Sequence, residues 1–326
     1  MTGWIALSDH DETVLAAAPS GVPPHAVLVF DLALPLIGTT VLLDHAGPGG
    51  ALSLIYDPAA GFGVMLRQDG GSSCHMLPGI NADKPGCGQL QFGWTTASGD
   101  WTLRFVTALG DDGVAASGRA PLPLPQRLLH DVCRGGPGQQ RAAALLWCGA
   151  TTGPAPAPAA WIGPRTPVAT PDGPQAAAML QPGDRVLTRD HGTLPVRAVR
   201  RQALPGQGSF APVRLRAPFF HAPTDLLVSA CQQIAISGDD VEYLFGCDTV
   251  LVAARHLVDG ARALTEGQPR LLPWIALDLD HPALILSGTC ALATGAAGPP
   301  SPRCLDRFEA CTLQAMRRRG ATRTAA

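Results

Sequence analysis

Nine cysteines are the side chains of this 326-residue chain best suited to nucleophilic or metal chemistry, and their spacing points to neither. No two form a C-x-x-C pair and their number is odd, so no ligand set or disulfide framework is legible. Cys74 and Cys87 allow one bridge; the pattern as a whole fits buried thiols in a reducing compartment. Cys148 follows Leu145-Leu146-Trp147, an apolar setting that favours a structural thiol over a reactive one. Trp94 and Trp101 offer flat faces that stack on sugars, although tryptophan in a strand more commonly packs a core. No strand carries the paired carboxylates of a retaining glycosidase. No metal or cofactor motif emerges, so the expected cofactor is none.

The elements that must position such residues are strands. Residues 1–118 alternate in short runs between turns: His25 to Leu32, Thr39 to Asp44, Ala51 to Tyr56, Gly63 to Arg67, Gln89 to Trp94 and Asp100 to Val106. Strands at this spacing, with glycine-rich turns and no long helical period, predict a β-sandwich. Residues 119–160 read as a linker. Ala120 to Pro125 is too proline-dense for helix or sheet, Gln140 to Trp147 suits two helical turns, and Gly153 to Pro158 suits an extended spacer. Residues 161–290 read as a second β-domain with Val186, Val213, Leu215, Leu227, Leu251 and Val252 inside. After Gly288 an Ala/Gly/Pro-rich tail, 291–326, carries a short Arg-rich helix with Leu305, Phe308, Leu313 and Met316 near helical spacing. The expectation is an all-β chain with two cores.

Composition narrows the partners. Hydrophobic residues make up 46% and charged residues 15%, which excludes a disordered chain. A net charge of −2 gives no electrostatic case for nucleic acid, and no apolar run is long enough for a membrane span. The N-terminal residues lack a basic segment followed by an apolar run, so the default expectation for location is cytoplasmic, with non-classical secretion left open.

The second domain opens on a dense series of reversals. Thr170-Pro171-Asp172-Gly173 is a turn in which proline presets φ and glycine supplies positive φ. Gln181-Pro182-Gly183-Asp184 repeats the device before the strand residues Arg185 to Thr188, and Asp190-His191-Gly192 turns the chain again. This opening resembles that of the Hedgehog/intein (Hint) module in its bacterial subfamily. Three later blocks agree: Phe210 to Arg216, Asp225 to Ser229, and Leu244 to Val258. Less specifically, the first half resembles a concanavalin-like lectin and glucanase sandwich.

The resemblance implies a flat all-β fold whose ends meet at a self-processing site. In active members the first residue is cysteine or serine, which attacks the preceding carbonyl, while a Thr/Ser-x-x-His motif handles the scissile amide. In this chain the opening position is Trp161, and indole is no nucleophile. The block motif reads Ser229-Ala230-Cys231-Gln232, with glutamine where histidine would exchange a proton. His281 falls where the subfamily carries a late Asp-Arg-His-Glu block, and without a nucleophile it has nothing to serve. Cys231 neighbours the lost histidine and should face away from it. Thr166 and Thr170 read as turn or strand hydroxyls, His191 and His256 as structural. The expectation is a degenerate Hint domain acting as a scaffold or a binding module for an unknown protein or glycan, without autoprocessing. The alternatives are self-cleavage through a displaced nucleophile such as Cys148, and a glycan-binding sandwich with a passenger Hint fold.

Overall fold

A computed structural model describes residues 4–9, 13–15, 21–107, 113–136, 138–157, 159–268, 270–294 and 302–324. Ten strands open the chain: β1 (Trp4–Ser8), β2 (Thr13–Leu15), β3 (His25–Leu34), β4 (Thr40–Gly47), β5 (Gly50–Asp57), β6 (Gly61–Gln68), β7 (Gly71–Leu77), β8 (Gly86–Thr95), β9 (Asp100–Thr107) and β10 (Val114–Arg119). Helix α1 (Gln126–Arg134), β11 (Gln139–Arg141) and β12 (Leu145–Thr151) complete the unit. The strands form a seven-stranded sheet, β10-β9-β8-β3-β12-β1-β2, over a five-stranded sheet, β11-β4-β5-β6-β7. Apolar residues at alternate positions meet between them: Leu28, Phe30 and Leu32 from one side, Leu52, Leu54 and Tyr56 from the other.

The segment read as a linker is corrected in its middle. β12 lies inside the seven-stranded sheet, antiparallel to both β3 and β1. The expected helical turns over Gln140 to Trp147 do not form: Gln140 and Arg141 end β11, residues 142–144 turn, Leu145 to Trp147 begin β12, and the helix stands earlier, at α1. A seven-residue apolar run that is buried on both faces has no alternation to reveal it.

The second domain holds hairpin β13 (Pro167–Thr170) and β14 (Gly173–Ala176), then β15 (Arg185–Thr188), the long β16 (Gly192–Pro205), β17 (Pro212–Leu215), β18 (Leu226–Ser229) and β19 (Gln233–Ser237). There follow α2 (Asp239–Phe245), β20 (Thr249–Ala253), α3 (Ala254–Leu257), β21 (Ala263–Thr265), β22 (Leu271–Leu279), β23 (Leu284–Ser287), β24 (Cys290–Ala293), β25 (Arg303–Cys304) and α4 (Arg307–Thr324). Eight strands run β22-β16-β15-β23-β24-β19-β20-β25, and β18-β17-β21 form a smaller sheet. Val186, Val213, Leu215 and Val252 are core, and Leu251 joins a satellite cluster with Leu284 and Ala291. Leu227 is half-buried and packs between the domains, not in the core. On α4, Leu313 and Ala310 are buried while Phe308 is exposed, so the expected apolar stripe is narrower than its spacing suggests. Among the described residues no helix is long and apolar enough to cross a membrane.

The two domains share a third cluster. Trp4, Val29 and Trp147 meet Trp161, Phe210 and Trp274, with Trp147 and Phe210 stacked at 5.5 Å between centroids. Alternation explains which residues of β3 and β12 reach it. Leu28, Phe30 and Cys148 face the sandwich core, so Val29, Asp31 and Trp147 face the second domain.

Candidate functional site

Trp161 enters the second domain as a short extended segment held between two strands. Ile162 bridges Val228 of β18 and Ile275 of β22, exchanging backbone hydrogen bonds with Ile275 at 2.9 and 3.0 Å. Ser229, at the end of β18, spans the entry point. Its backbone N–H donates to the Trp161 carbonyl (2.9 Å), and its hydroxyl accepts the Trp161 N–H (3.0 Å) and donates to the Ala159 carbonyl (2.6 Å). The peptide joining residues 160 and 161 is therefore gripped on both sides by one serine.

The side chains of Trp161 and Gln232 are engaged away from this peptide. The Trp161 ring is buried in the interdomain cluster, with the Arg200 guanidinium 5.7 Å from its centroid. Gln232 is buried, and its side-chain amide donates to the carbonyls of Gln233 (3.1 Å) and Ala293 (2.8 Å). It ties the turn after β18 to β24, a structural use of a donor that cannot exchange a proton near neutral pH.

The remaining candidates lie elsewhere. His281 is exposed in the turn between β22 and β23, its ring 5.4 Å from that of His191. It lies two residues past the end of β22, in a bend, while Ile275 is inside the strand. Cys148 faces the sandwich core beside Cys133, whose thiol is pushed well up by its hydrogen bond to Cys148 and by burial. Its side chain points away from the face that carries Trp147 toward Trp161. Cys231 accepts a hydrogen bond from Arg255 at 3.3 Å, and burial raises its thiol against the pull of that arginine. Thr166 is buried, and Thr170 closes its turn by donating to Gly173 (2.5 Å). Cys74 and Cys87 lie in different sheets and are free thiols, as are all nine cysteines.

In the sandwich, Trp94 is 1% exposed and belongs to the core, so it presents no face to a sugar. Trp101, its cross-strand partner, is half-buried against the His75 ring at 4.5 Å.

One acidic residue stands apart from these candidates. Asp31, fully buried, accepts the Ser209 N–H through both carboxylate oxygens at 3.2 Å. Burial lifts its pKa to about 7, with hydrogen bonds from Ser209 and Gln89 pulling the other way. The nearby Cys87 thiol is pushed up to about 11 by burial and by Asp31. Gly208, at φ 64°, leaves room for this contact, because a Cβ there would stand 2.0 Å from an Asp31 oxygen. An acid set in an apolar strand was the available signal.

Residues 163–295 match the family model described as Hint domain. The MchDnaB-1 intein crystal structure is 16% identical, with 41% of this chain and 99% of that chain covered at a TM-score of 0.28. The LG1-3 region of the laminin alpha2 chain is 8% identical, covering 91% of this chain and 56% of that chain, TM-score 0.28. Domains LG4-5 of the mouse laminin alpha1 chain are 9% identical, covering 90% and 76%, TM-score 0.24. No curated protein matches. The assignment of the second domain rests on the family model.

Proposed function

We propose that the Hint domain formed by residues 163–295 does not process its own chain and serves instead as a rigid scaffold or binding module fused to the sandwich. The observation that supports this reading is the fate of one peptide bond. Ser229 still holds the backbone around residues 160 and 161 in register, while the groups that would attack it and move its proton are an indole and a carboxamide. A hydroxyl without a neighbouring base is un-ionised at neutral pH, so Ser229 orients the amide and goes no further. The buried indole has been put to another use. It packs with Trp274 and Phe210 against the first domain, so the position that would carry the nucleophile now helps join the two domains.

Hydroxylamine or dithiothreitol added to the purified chain tests this directly, since both intercept an ester or thioester at the junction. The reading expects no fragment ending at Ala160. Release of that fragment would overturn it.

A further inference from the structure

A cleft of about 470 Å³ lies on the second domain, and none of Trp161, Ser229 or Gln232 lines it. Three guanidiniums do: Arg189, just after β15; Arg262, just before β21; and Arg317, on α4. His221 adds a fourth basic side chain, and no aspartate or glutamate is among the lining residues. The arginines are unequally compensated. Arg262 is paired with Asp259 at 2.7 Å, Arg317 stands 3.7 Å from Asp240 and donates to the Ser237 carbonyl at 2.7 Å, and among the described residues the Arg189 guanidinium donates to the hydroxyls of Ser237 (2.9 Å) and Thr249 (3.2 Å). Burial depresses the Arg317 guanidinium; Asp240 opposes that and the neighbouring Arg262 adds to it. Cations gathered this way around a concave surface suit an anionic oxygen group, which a planar guanidinium meets with paired N–H donors.

Another part of the lining is apolar and strained. Phe219–His221 forms a tight turn in which Phe220 and His221 both adopt left-handed backbone, at φ 59° and 58°. Non-glycine residues seldom do so, and such strain gathers at ligand clamps. The turn is pinned by the Thr289 hydroxyl, which donates to the His221 carbonyl at 3.3 Å. Phe219 stays 42% exposed beside the cleft, and Ile236 contributes to the lining from β19.

We propose that this cleft binds a small organic anion, a phosphate monoester or carboxylate on a flat apolar body, with Arg189, Arg262 and Arg317 around the anionic group and Phe219 and Phe220 against the body. The inference goes beyond the scaffold reading and stands whether or not the peptide bond at 160–161 breaks.

The test is a titration of the ¹⁵N-labelled full chain with phenyl phosphate, benzoate, inorganic phosphate and neutral benzyl alcohol. The expected result is saturable shifts in the amides of Phe219–His221 and residues 235–237 with phenyl phosphate or benzoate. Binding should be at least about tenfold weaker for the alcohol and for inorganic phosphate alone. Arg189→Gln should weaken the aromatic anion about tenfold through loss of a charge-assisted contact. Thr289→Glu, which sets a carboxylate against the cluster, should weaken it similarly and decides the matter should Arg189→Gln fail to fold. The proposal is overturned if neither aromatic anion outbinds benzyl alcohol at these amides, if inorganic phosphate binds as tightly as phenyl phosphate, or if a folded Arg189→Gln or Thr289→Glu chain keeps full affinity.

Discussion

At the scale of single residues, Trp161 and Ser229 have become structural partners. Trp161→Ala should cost about 3–5 kcal/mol in urea denaturation, because it opens a cavity in the cluster that joins the domains. Ser229→Ala should cost about 1–3 kcal/mol, since the buried Trp161 N–H loses its acceptor. Neither change should produce cleavage. On the proposed reading, gaining it should need both Trp161→Cys and Gln232→His, and mass spectrometry of the two single variants should show intact chain. What the amino-acid sequence made legible was the run of turns and strands around these positions, from Thr170 to Gly192 and from Asp225 to Ser229. What could not be read was the new employment of Gln232, whose bond to Ala293 joins residues 61 apart.

Asp31 makes a prediction of the same scale. Its folded pKa, about 7, lies above the ordinary carboxylate value of roughly 3.9. Between those values the folded chain holds a proton that the unfolded chain has released. Stability from this group is therefore greatest below pH 4, falls as pH rises from about 4 to 7, and is level above that. Asp57, Asp225 and Asp259, whose pKa values are lowered, contribute the opposite trend at acid pH, so the comparison must be with Asp31→Asn. The stability of that variant relative to the native chain should rise from pH 5 to pH 7, by at most about 1.4 kcal/mol per pH unit. A difference that stays constant across this range would place Asp31 outside the titrating groups.

At the scale of elements, β12 decides how the first domain holds together. It pairs with β3 on one side and β1 on the other, so a fragment ending at residue 118 loses an interior strand and the cover from α1. Such a fragment should lack dispersed amide resonances, whereas one ending after Thr151 should show them. The half-buried strands were plain from alternation, as in β5, where Leu52, Leu54 and Tyr56 point inward. β12 was not, because Leu145–Thr151 is covered on both faces and follows a run of alanines with helical propensity. α1 carries a weak sequence signal for a related reason. It begins after Pro125 with no side-chain cap to announce it.

At the scale of the whole molecule, the two domains are joined by more than a tether. A cluster of aromatic residues, the Asp31–Ser209 contact and a bond from the Gln207 side chain to the Leu146 carbonyl (2.8 Å) link them directly. The seam passes through Trp161, the position that the proposed reading takes as the site of a self-processing domain's nucleophile. A chain that cut itself there would sever the covalent link between domains that the packing holds together. The most direct test of the account is the intact mass of freshly purified protein, followed over days at neutral pH with and without dithiothreitol. The account predicts a single species at the full 326-residue mass throughout. A spontaneous, thiol-accelerated break between residues 160 and 161 would contradict it.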